Sequence, residues 1–503
     1  MNRKKSDFAA LLVTLFILSL LLSSCTSGMT TVSPTGLLPA TAAALPPAKA
    51  PTNTGEPPAT AILSPEMTLK PGDKYFTVNG KPGFIYSRNL AGYDPFQYEL
   101  LLGLTKTGGS KLVRVQLDGL GMGFTNTGDL DAAWAKNWEM VFDRAAADGI
   151  SIIPVFGVWA DWNNGTPDYG YSTWNSNPLN NANGGPTANP GELFQKDSTT
   201  HRLWLNWMKT LVERWQGRKN IAAWEIFSEV NIASGTTEHI AVGFVEEAAA
   251  VIRAADSFHR PLTASLADVG EWPSFYRSDA LDFINVHPYP ISGKLDTYLI
   301  SVVRQKLDQY DKPVLIGESG LNAATPDSEA GKITISKNAA RGIEHAIWAG
   351  MVSGAMNGRA LWWEDGYAIY FQSLGFSFLN NYHDSELAAS KFIEGIDVSA
   401  FKPLASRVQG KITGAALGDE QMVIGWYRDA GCEPPDWPLQ AVISKQNVIL
   451  TVPGSTKNWK VDFYDTRTGT PLLGSATAER QGATITIGLP DFTDDIVFRM
   501  YPQ

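Results

Sequence analysis

The chain has 503 residues, with 51 acidic against 41 basic, a formal net charge of -10, and 16 Trp among its 11% aromatic residues. That length exceeds one ordinary domain, although an α/β barrel alone takes about 250 residues or more. The acidic balance, with no basic run in the body of the sequence, argues against nucleic acid as a partner.

The first stretch reads as an export signal: a basic MNRKK, an apolar FAALLVTLFILSLLL, then LSSC ending at Cys25. LSSC resembles the lipobox of bacterial lipoproteins. That resemblance implies cleavage before Cys25, lipidation of its thiol and new amino terminus, and attachment to the cell membrane facing outside the cytoplasm, extracellular or periplasmic. A plain signal peptide or an uncleaved anchor helix is the other reading of residues 1–24. Residues 25–62 are Pro, Ala, Thr and Ser with almost no aromatic or charged residue, and such a segment is expected to be an extended tether. With Cys25 lipidated, Cys432 has no disulfide partner, so stability must come from core packing, and the cysteine usage offers no zinc cluster.

Residues 63–408 alternate short apolar β-type runs with longer amphipathic ones. The strand candidates are GFIYSRN, KLVRVQL, SIIPVFGVW, AAWEIFS, PLTASLA, FINVHPY, PVLIGES and ALWWED. Between them lie helical stretches such as DLDAAWAKNWEMVFDRAAADG and STTHRLWLNWMKTLVERWQG, with apolar residues three and four apart. Apolar strands separated by helices indicate a parallel sheet, and eight such units suggest an α/β fold of the closed (β/α)8 type, with an open doubly wound sheet as the alternative. No Gly-x-Gly-x-x-Gly follows the first strand, and Asn89, Asp118, Trp159, Glu229, His287, Glu318 and Trp363 fall at strand C-terminal ends, which a barrel gathers on one face. After about 408 the pattern becomes β-type throughout, as in QMVIGWYRD, QAVISK, NVILTVPG, WKVDFYDTRTG, ATITIGLP and DIVFRMY, and residues 409–503 are expected to form a small antiparallel sandwich.

Period-two alternation puts Glu225 and Glu229 on one side of their strand, with Glu229 in the barrel mouth and Glu225 deeper as a buried carboxylate held by hydrogen bonds or an arginine. Glu318 follows its apolar run in the same manner. Trp residues set among Asn, Asp and Gly, such as Trp159 and Trp162 in GVWADWNNG, suit stacking on a sugar ring. The loop over residues 160–198 is far longer than a usual strand-to-helix connection, and its Asn, Gly, Tyr and Trp suit the walls of a glycan cleft.

AAWEIFSEVN and PVLIGESG resemble the fourth- and seventh-strand motifs of the retaining β-glycosidases with (β/α)8 barrels, closest to glycoside hydrolase family 5, over most of residues 70–370. The resemblance implies Glu229 as general acid/base and Glu318 as nucleophile, with Arg114 supporting the nucleophile, His287 and Tyr289 as the sixth-strand His-x-Tyr pair, and Trp363, or else Trp362, as the indole beneath the sugar. It departs at Ser228, where the clan has an Asn whose amide binds the sugar 2-hydroxyl; the shorter serine, reaching that hydroxyl only through water, implies a different sugar at that subsite, a slower enzyme, or another side chain such as Asn231 taking over.

In a retaining hydrolysis the two carboxyls lie about 5 to 5.5 Å apart. Arg114 would keep Glu318 ionised, and the negative charge on Glu318 would keep Glu229 protonated until glycosylation neutralises it. The resemblance thus implies an O-glycosyl hydrolase cleaving β-linked oligo- or polysaccharides without metal or organic cofactor, with an endo-β-1,4-mannanase or glucanase expected. Exo action or transglycosylation on the same site, and a non-catalytic surface glycan-binding lipoprotein, are the alternatives. The C-terminal domain is read as structural packing, with sugar binding as its alternative role.

Overall fold

The computed structural model describes residues 67–78, 80–90, 92, 94–164, 173–267, 271–321, 338–360, 375–439 and 441–503, all within one compact unit, Ala61–Gln503. The expected signal peptide, Cys25, the tether, Trp362 and Trp363 lie outside these residues. Among the described residues no helix is long and apolar enough to cross a membrane.

A small antiparallel sheet of β1 (Met67–Thr68), β2 (Thr77–Val78) and β3 (Lys81–Pro82) comes first. The parallel strands follow: β4 (Ile85–Leu90), β5 (Leu112–Gln116), β6 (Ser151–Val158), β7 (Trp224–Ser228), β8 (Leu262–Thr263), β9 (Ile284–Val286), β10 (Val314–Ile316) and β11 (Asn357–Arg359). Six of them form one sheet in the order β11-β4-β5-β6-β7-β8. A parallel bridge between Ser265 and Asn285 leads from β8 to β9, and β9 pairs with β10. On the remaining side Met356 N donates to Val314 O at 2.8 Å, so the strands succeed one another around a cycle that fits a (β/α)8 barrel.

The described helices are α1 (Pro95–Thr107), α2 (Ala132–Ala147), α3 (Thr199–Trp215), α4 (Glu238–Ala255), α5 (Pro273–Arg277), α6 (Leu295–Gln309), α7 (Ala339–Ser353) and α8 (Gly375–Ile393). Local chemistry sets their ends. Asp131 caps α2 by accepting from Ala133 N and Trp134 N, and Ser198 caps α3 by accepting from His201 N. The buried residues of α2, Trp134, Ala135, Trp138, Val141, Phe142 and Ala145, recur at three and four and face the sheet. Every residue of β5, β6 and β7 is buried, because each strand is covered by helices on one side and by the barrel interior on the other.

The eighth strand is described only ahead of the expected run, since residues 361–365 of ALWWED lie outside the described residues. The described strand is β11, Asn357–Arg359, a stretch with no apolar signal. Asn357 replaces that signal with hydrogen bonds: its Nδ2 donates to Ile316 O at 2.8 Å and Ser87 Oγ at 2.6 Å, and its Oδ1 accepts from Ile316 N at 2.7 Å. A buried polar side chain that knits three strands is invisible to a hydropathy pattern.

The C-terminal part is a nine-stranded antiparallel sheet of β12 (Lys402–Pro403), β13 (Ser406–Gln409), β14 (Ile412–Gly418), β15 (Val423–Asp429), β16 (Asn447–Thr451), β17 (Asn458–Tyr464), β18 (Pro471–Gln481), β19 (Thr484–Gly488) and β20 (Asp495–Pro502). Its first two strands begin ahead of residue 409. β18 joins the ladder, pairing with β17 along most of its length and with β19 through Arg480 and Gln481. β18 is mostly exposed and β14 is rich in Gly and Ala, so neither shows the alternation of large apolar residues that marks the other strands. QAVISK yields only an isolated bridge, Ile443 to Phe492.

Barrel and C-terminal sheet share a core. Ile343, Ile347, Trp348 and Val352 of α7 pack with Ala415, Leu417, Ile424, Trp426 and Val497. Arg428 pairs with Asp296 of α6 at 2.5 Å, His345 Nε2 lies 2.8 Å from Asp494 Oδ1, and Trp348 Nε1 donates to Thr466 O at 3.2 Å.

Candidate active site

The polar floor of the barrel is organised by one guanidinium. Arg114, in the middle of β5 and only 2% exposed, donates from Nε to Glu225 Oε2 at 2.6 Å and from Nη2 to Glu225 Oε1 at 2.7 Å. Its Nη1 reaches Glu318 Oε1 at 2.7 Å and Asn89 Oδ1 at 3.1 Å, and Nη2 also reaches Ser228 Oγ at 2.8 Å. Burial works against the charge of Arg114, but Glu225 and Glu318 outweigh it and hold its pKa above the ordinary arginine value. Glu225 is completed by Ser265 Oγ at 3.1 Å and Asn285 Nδ2 at 2.9 Å. It is a fully satisfied buried carboxylate, and the bidentate arginine explains how a strand interior tolerates it.

Glu229 arrives in the mouth by a route that alternation alone does not give. Glu225 and Ser228 both reach Arg114, while Phe227 packs against Phe194, Trp204 and Phe244, so the in-and-out order slips within β7. The strand then ends, and Glu229 takes a left-handed conformation with φ 59° and ψ 47°. Ser265 fixes this turn: its Oγ accepts from Glu229 N at 3.1 Å and its carbonyl accepts from Val230 N at 3.1 Å. A non-glycine residue held at positive φ is a strained feature that the surroundings must stabilise, and such features gather at functional sites.

Glu318, 5% exposed, sits just beyond β10. Its Oε1 takes Arg114 and, at 3.3 Å, Gln116 Nε2, whereas its Oε2 accepts from Tyr289 OH at 3.0 Å. His287 stands between the two carboxyls, with Nδ1 2.9 Å from Glu229 Oε1 and 3.6 Å from Glu318 Oε2. That nitrogen and one oxygen from each carboxyl all lie within 4.8 Å of one another. Gly317 must be a glycine, because an added Cβ would sit 1.8 Å from Asn285 Oδ1. Its carbonyl accepts from Asn89 Nδ2 at 2.6 Å. The residue before the carboxylate is thereby gripped on both sides.

The structure therefore brings Arg114, Ser228, Glu229, His287, Tyr289 and Glu318 together. The expected aromatic platforms divide. Trp159 is half-buried, but Trp162 is 1% exposed and packs on Trp174 at 5.9 Å, so it belongs to the core and presents no face to a sugar. Three asparagines of the long loop likewise serve the loop itself. Asn177 Nδ2 donates to Asp161 O at 3.1 Å, Asn180 Nδ2 to Trp174 O at 2.9 Å and Asn183 Nδ2 to Asn177 O at 2.8 Å, which folds the segment into short 3-10 turns. Asn231 is also engaged, its Oδ1 accepting from Ala267 N at 2.6 Å.

Two further groups bear on electrostatics. Asp118 follows β5, and burial pushes its pKa up to about 7 against a smaller opposing pull from Arg114. Asp161 is raised by burial and by Asp118. Away from the mouth, His345, Cys432 and Asp494 also bring donor atoms within 4.8 Å of one another, a cluster that counting cysteines does not reveal. There Asp494 already bonds His345 and has Arg341 at 3.3 Å, so positive charge is supplied by side chains. Motif reading passes over Gln116 and Asn285. Each lies two positions from a chosen residue, Arg114 and His287, and the same period-two rule points to both.

No protein-family profile and no curated protein sequence matches the chain. Solved structures do. A glycoside hydrolase family 5 structure from Bacteroides vulgatus superposes with a TM-score of 0.58 at 12% identity, covering 87% of this chain and 93% of that one. Another, described as a glycoside hydrolase, gives 0.56 at 12% identity over 88% and 97%. The chain thus shares its fold with glycoside hydrolases, over nearly their whole length.

Proposed function

We propose that the protein is a retaining glycoside hydrolase acting on β-linked glycans, with Glu318 as nucleophile and Glu229 as general acid/base. The observation that carries this reading is the carboxyl pair itself: oxygens of Glu229 and Glu318 within 4.8 Å of each other, linked through His287, in a barrel mouth. So short a spacing leaves no room for a water between acid and nucleophile, which favours double displacement over single displacement. The shared fold with glycoside hydrolases supports the same class.

In the first step Glu318 Oε2 attacks the anomeric carbon while Glu229 gives its proton to the departing oxygen. The C–O bond to the leaving sugar breaks as the glycosyl ester forms. Arg114, bonded to Glu318 Oε1, stabilises the carboxylate before attack, and Tyr289 orients its partner oxygen. In the second step Glu229 takes a proton from water, whose oxygen attacks the same carbon and frees Glu318. His287 holds Glu229 in position for both transfers. Trp159, and Trp363 beyond the described residues, are proposed to stack on the sugar.

An endo-β-1,4-glycanase on mannan or glucan is the substrate reading, on a lipoprotein anchored through Cys25, with residues 25–62 as its tether and the barrel over 63–408. The C-terminal sheet is read as bent at β18 into two layers around one core, which Val448, Ile485, Val461 and Phe498 share. The test is reducing-sugar release by the full-length protein from β-mannans, β-glucans, xylan and galactans, beside Glu318→Ala. Release from one glycan that vanishes in the variant supports the reading. Binding without release in either protein points instead to a glycan-binding lipoprotein, and linked-sugar products to a transglycosylase.

A further inference from the structure

We infer that Gln116 builds, beside Glu318, a binding position for the hydroxyl on C2 of the sugar being cleaved, so that the substrates are glycosides with a free 2-hydroxyl; this rests on the glycosidase reading above.

The two oxygens of Glu318 have different neighbours. Oε2 lies toward Tyr289, His287 and Glu229, and is the oxygen that faces the anomeric carbon, because acid and nucleophile must meet at one glycosidic bond. Oε1 lies toward Arg114 and Gln116. Once Oε2 is bonded to C1, Oε1 is the free oxygen of the ester. A group beside it meets the substituent on the carbon next to C1. Gln116 is that group. It ends β5, is 8% exposed, and has Nε2 3.3 Å from Oε1. The carboxylate can only accept, so the amide nitrogen must point to it, which leaves the carbonyl oxygen and a second N–H for a ligand.

The candidate amides and the hydroxyl near the pair each already hold a bond of ordinary length. Ser228 Oγ accepts from Arg114 at 2.8 Å and is fully buried. Asn89 Nδ2 is bound to Gly317 O at 2.6 Å, Asn285 Nδ2 to Glu225 at 2.9 Å, and Asn231 Oδ1 to Ala267 N at 2.6 Å. Gln116 makes only its long bond to Glu318 among the described residues. Contacts to the 2-hydroxyl strengthen as positive charge grows at C1, so an amide here acts on the transition state more than on the bound substrate.

Glucose and mannose differ only at C2, so one 2-deoxy glycoside is the reference for both. The full-length protein, Gln116→Ala, Gln116→Asn and Glu318→Ala are compared on the 2,4-dinitrophenyl β-glycosides of glucose, mannose and 2-deoxyglucose. The expected result is that Gln116→Ala lowers kcat/KM on the hydroxylated glycoside about 10- to 100-fold more than on the 2-deoxy one, as loss of a hydrogen bond of about 1.5–3 kcal/mol requires. Gln116→Asn falls between, and it supplies the comparison should Gln116→Ala not fold. Equal losses on both glycosides, or no loss, overturn the role of Gln116 while leaving the hydrolase intact. No release by the unaltered protein from these glycosides and from the β-glycans named above, or release that survives Glu318→Ala, overturns the glycosidase reading beneath it.

Discussion

Arg114 shows how one residue can hold a site together. Its fork faces Glu225 with two donors while a third serves Glu318, a geometry that a single ammonium cannot reproduce. Arg114→Lys is therefore expected to leave Glu225 partly unpaired in a fully buried position. Thermal or urea melts should register a loss of about 3–5 kcal/mol, with glycan release falling to near background. A second expectation separates the two carboxyls. Glu229→Ala should slow release of a sugar leaving group by about 10²- to 10⁴-fold, yet slow release of 2,4-dinitrophenolate, which needs no proton, far less. Glu318→Ala should abolish both. At this scale the sequence was legible where a charged residue ends an apolar run, as with Glu229 and Glu318. It was less so for amides and indoles: Trp162 and Asn180 stand in equally polar surroundings, and only packing tells that the first is core and the second binds its own loop.

At the scale of elements, the strand ends determine what the residues can do. Gly317 joins β10 to Glu318 with Asn285 Oδ1 lying where its Cβ would be, and Asn285 cannot withdraw without releasing Glu225. Gly317→Ala is expected to displace Asn285 or the β10 end by more than an ångström. It should cut kcat by about 100-fold or more, since misplacement of that size costs as much, while circular dichroism stays native. Unchanged kcat would mean that the end of β10 yields without disturbing the nucleophile. Strands and helices with strong periodicity, such as β5, β6, α2 and α3, were readable because burial on one or both faces imposes a pattern. β11 was not, since Asn357 holds it by hydrogen bonds, and β18 was not, since it is mostly exposed. The slip within β7 and the left-handed turn at Glu229 come from contacts with Ser265, a residue thirty-six positions away.

Across the whole molecule, burial of ionisable groups sets a preferred pH. Glu344, near the junction of barrel and C-terminal sheet, has its pKa raised from 4.5 to about 7 by burial and then by Asp495. Asp495 is raised by burial and by Asp494. Near the mouth, Asp118 is raised to about 7 and Asp161 is raised as well. An acid whose folded pKa exceeds its unfolded one favours the fold most below the unfolded pKa, and that contribution is lost as pH rises through the folded value. His345 works in the same direction: burial opposes its charge, but the bond to Asp494 raises its pKa, so its contribution is full below about 6.5 and lost as pH climbs through the folded pKa. Asp494 and Asp256 act oppositely, lowered by His345 and by Trp224 and Arg260 against the effect of burial, and their contributions disappear only in stronger acid. Tm should therefore peak near pH 5 and decline toward pH 8. Glu344 alone accounts for about 3 kcal/mol of that decline, because each pH interval of one between its unfolded and folded pKa is worth about 1.4 kcal/mol. Glu344→Gln, which fixes the uncharged form, should flatten the slope and raise Tm at pH 8. The same slope in wild type and variant would mean that Glu344 reaches water in the folded protein, and that the junction between barrel and sheet opens without unfolding either.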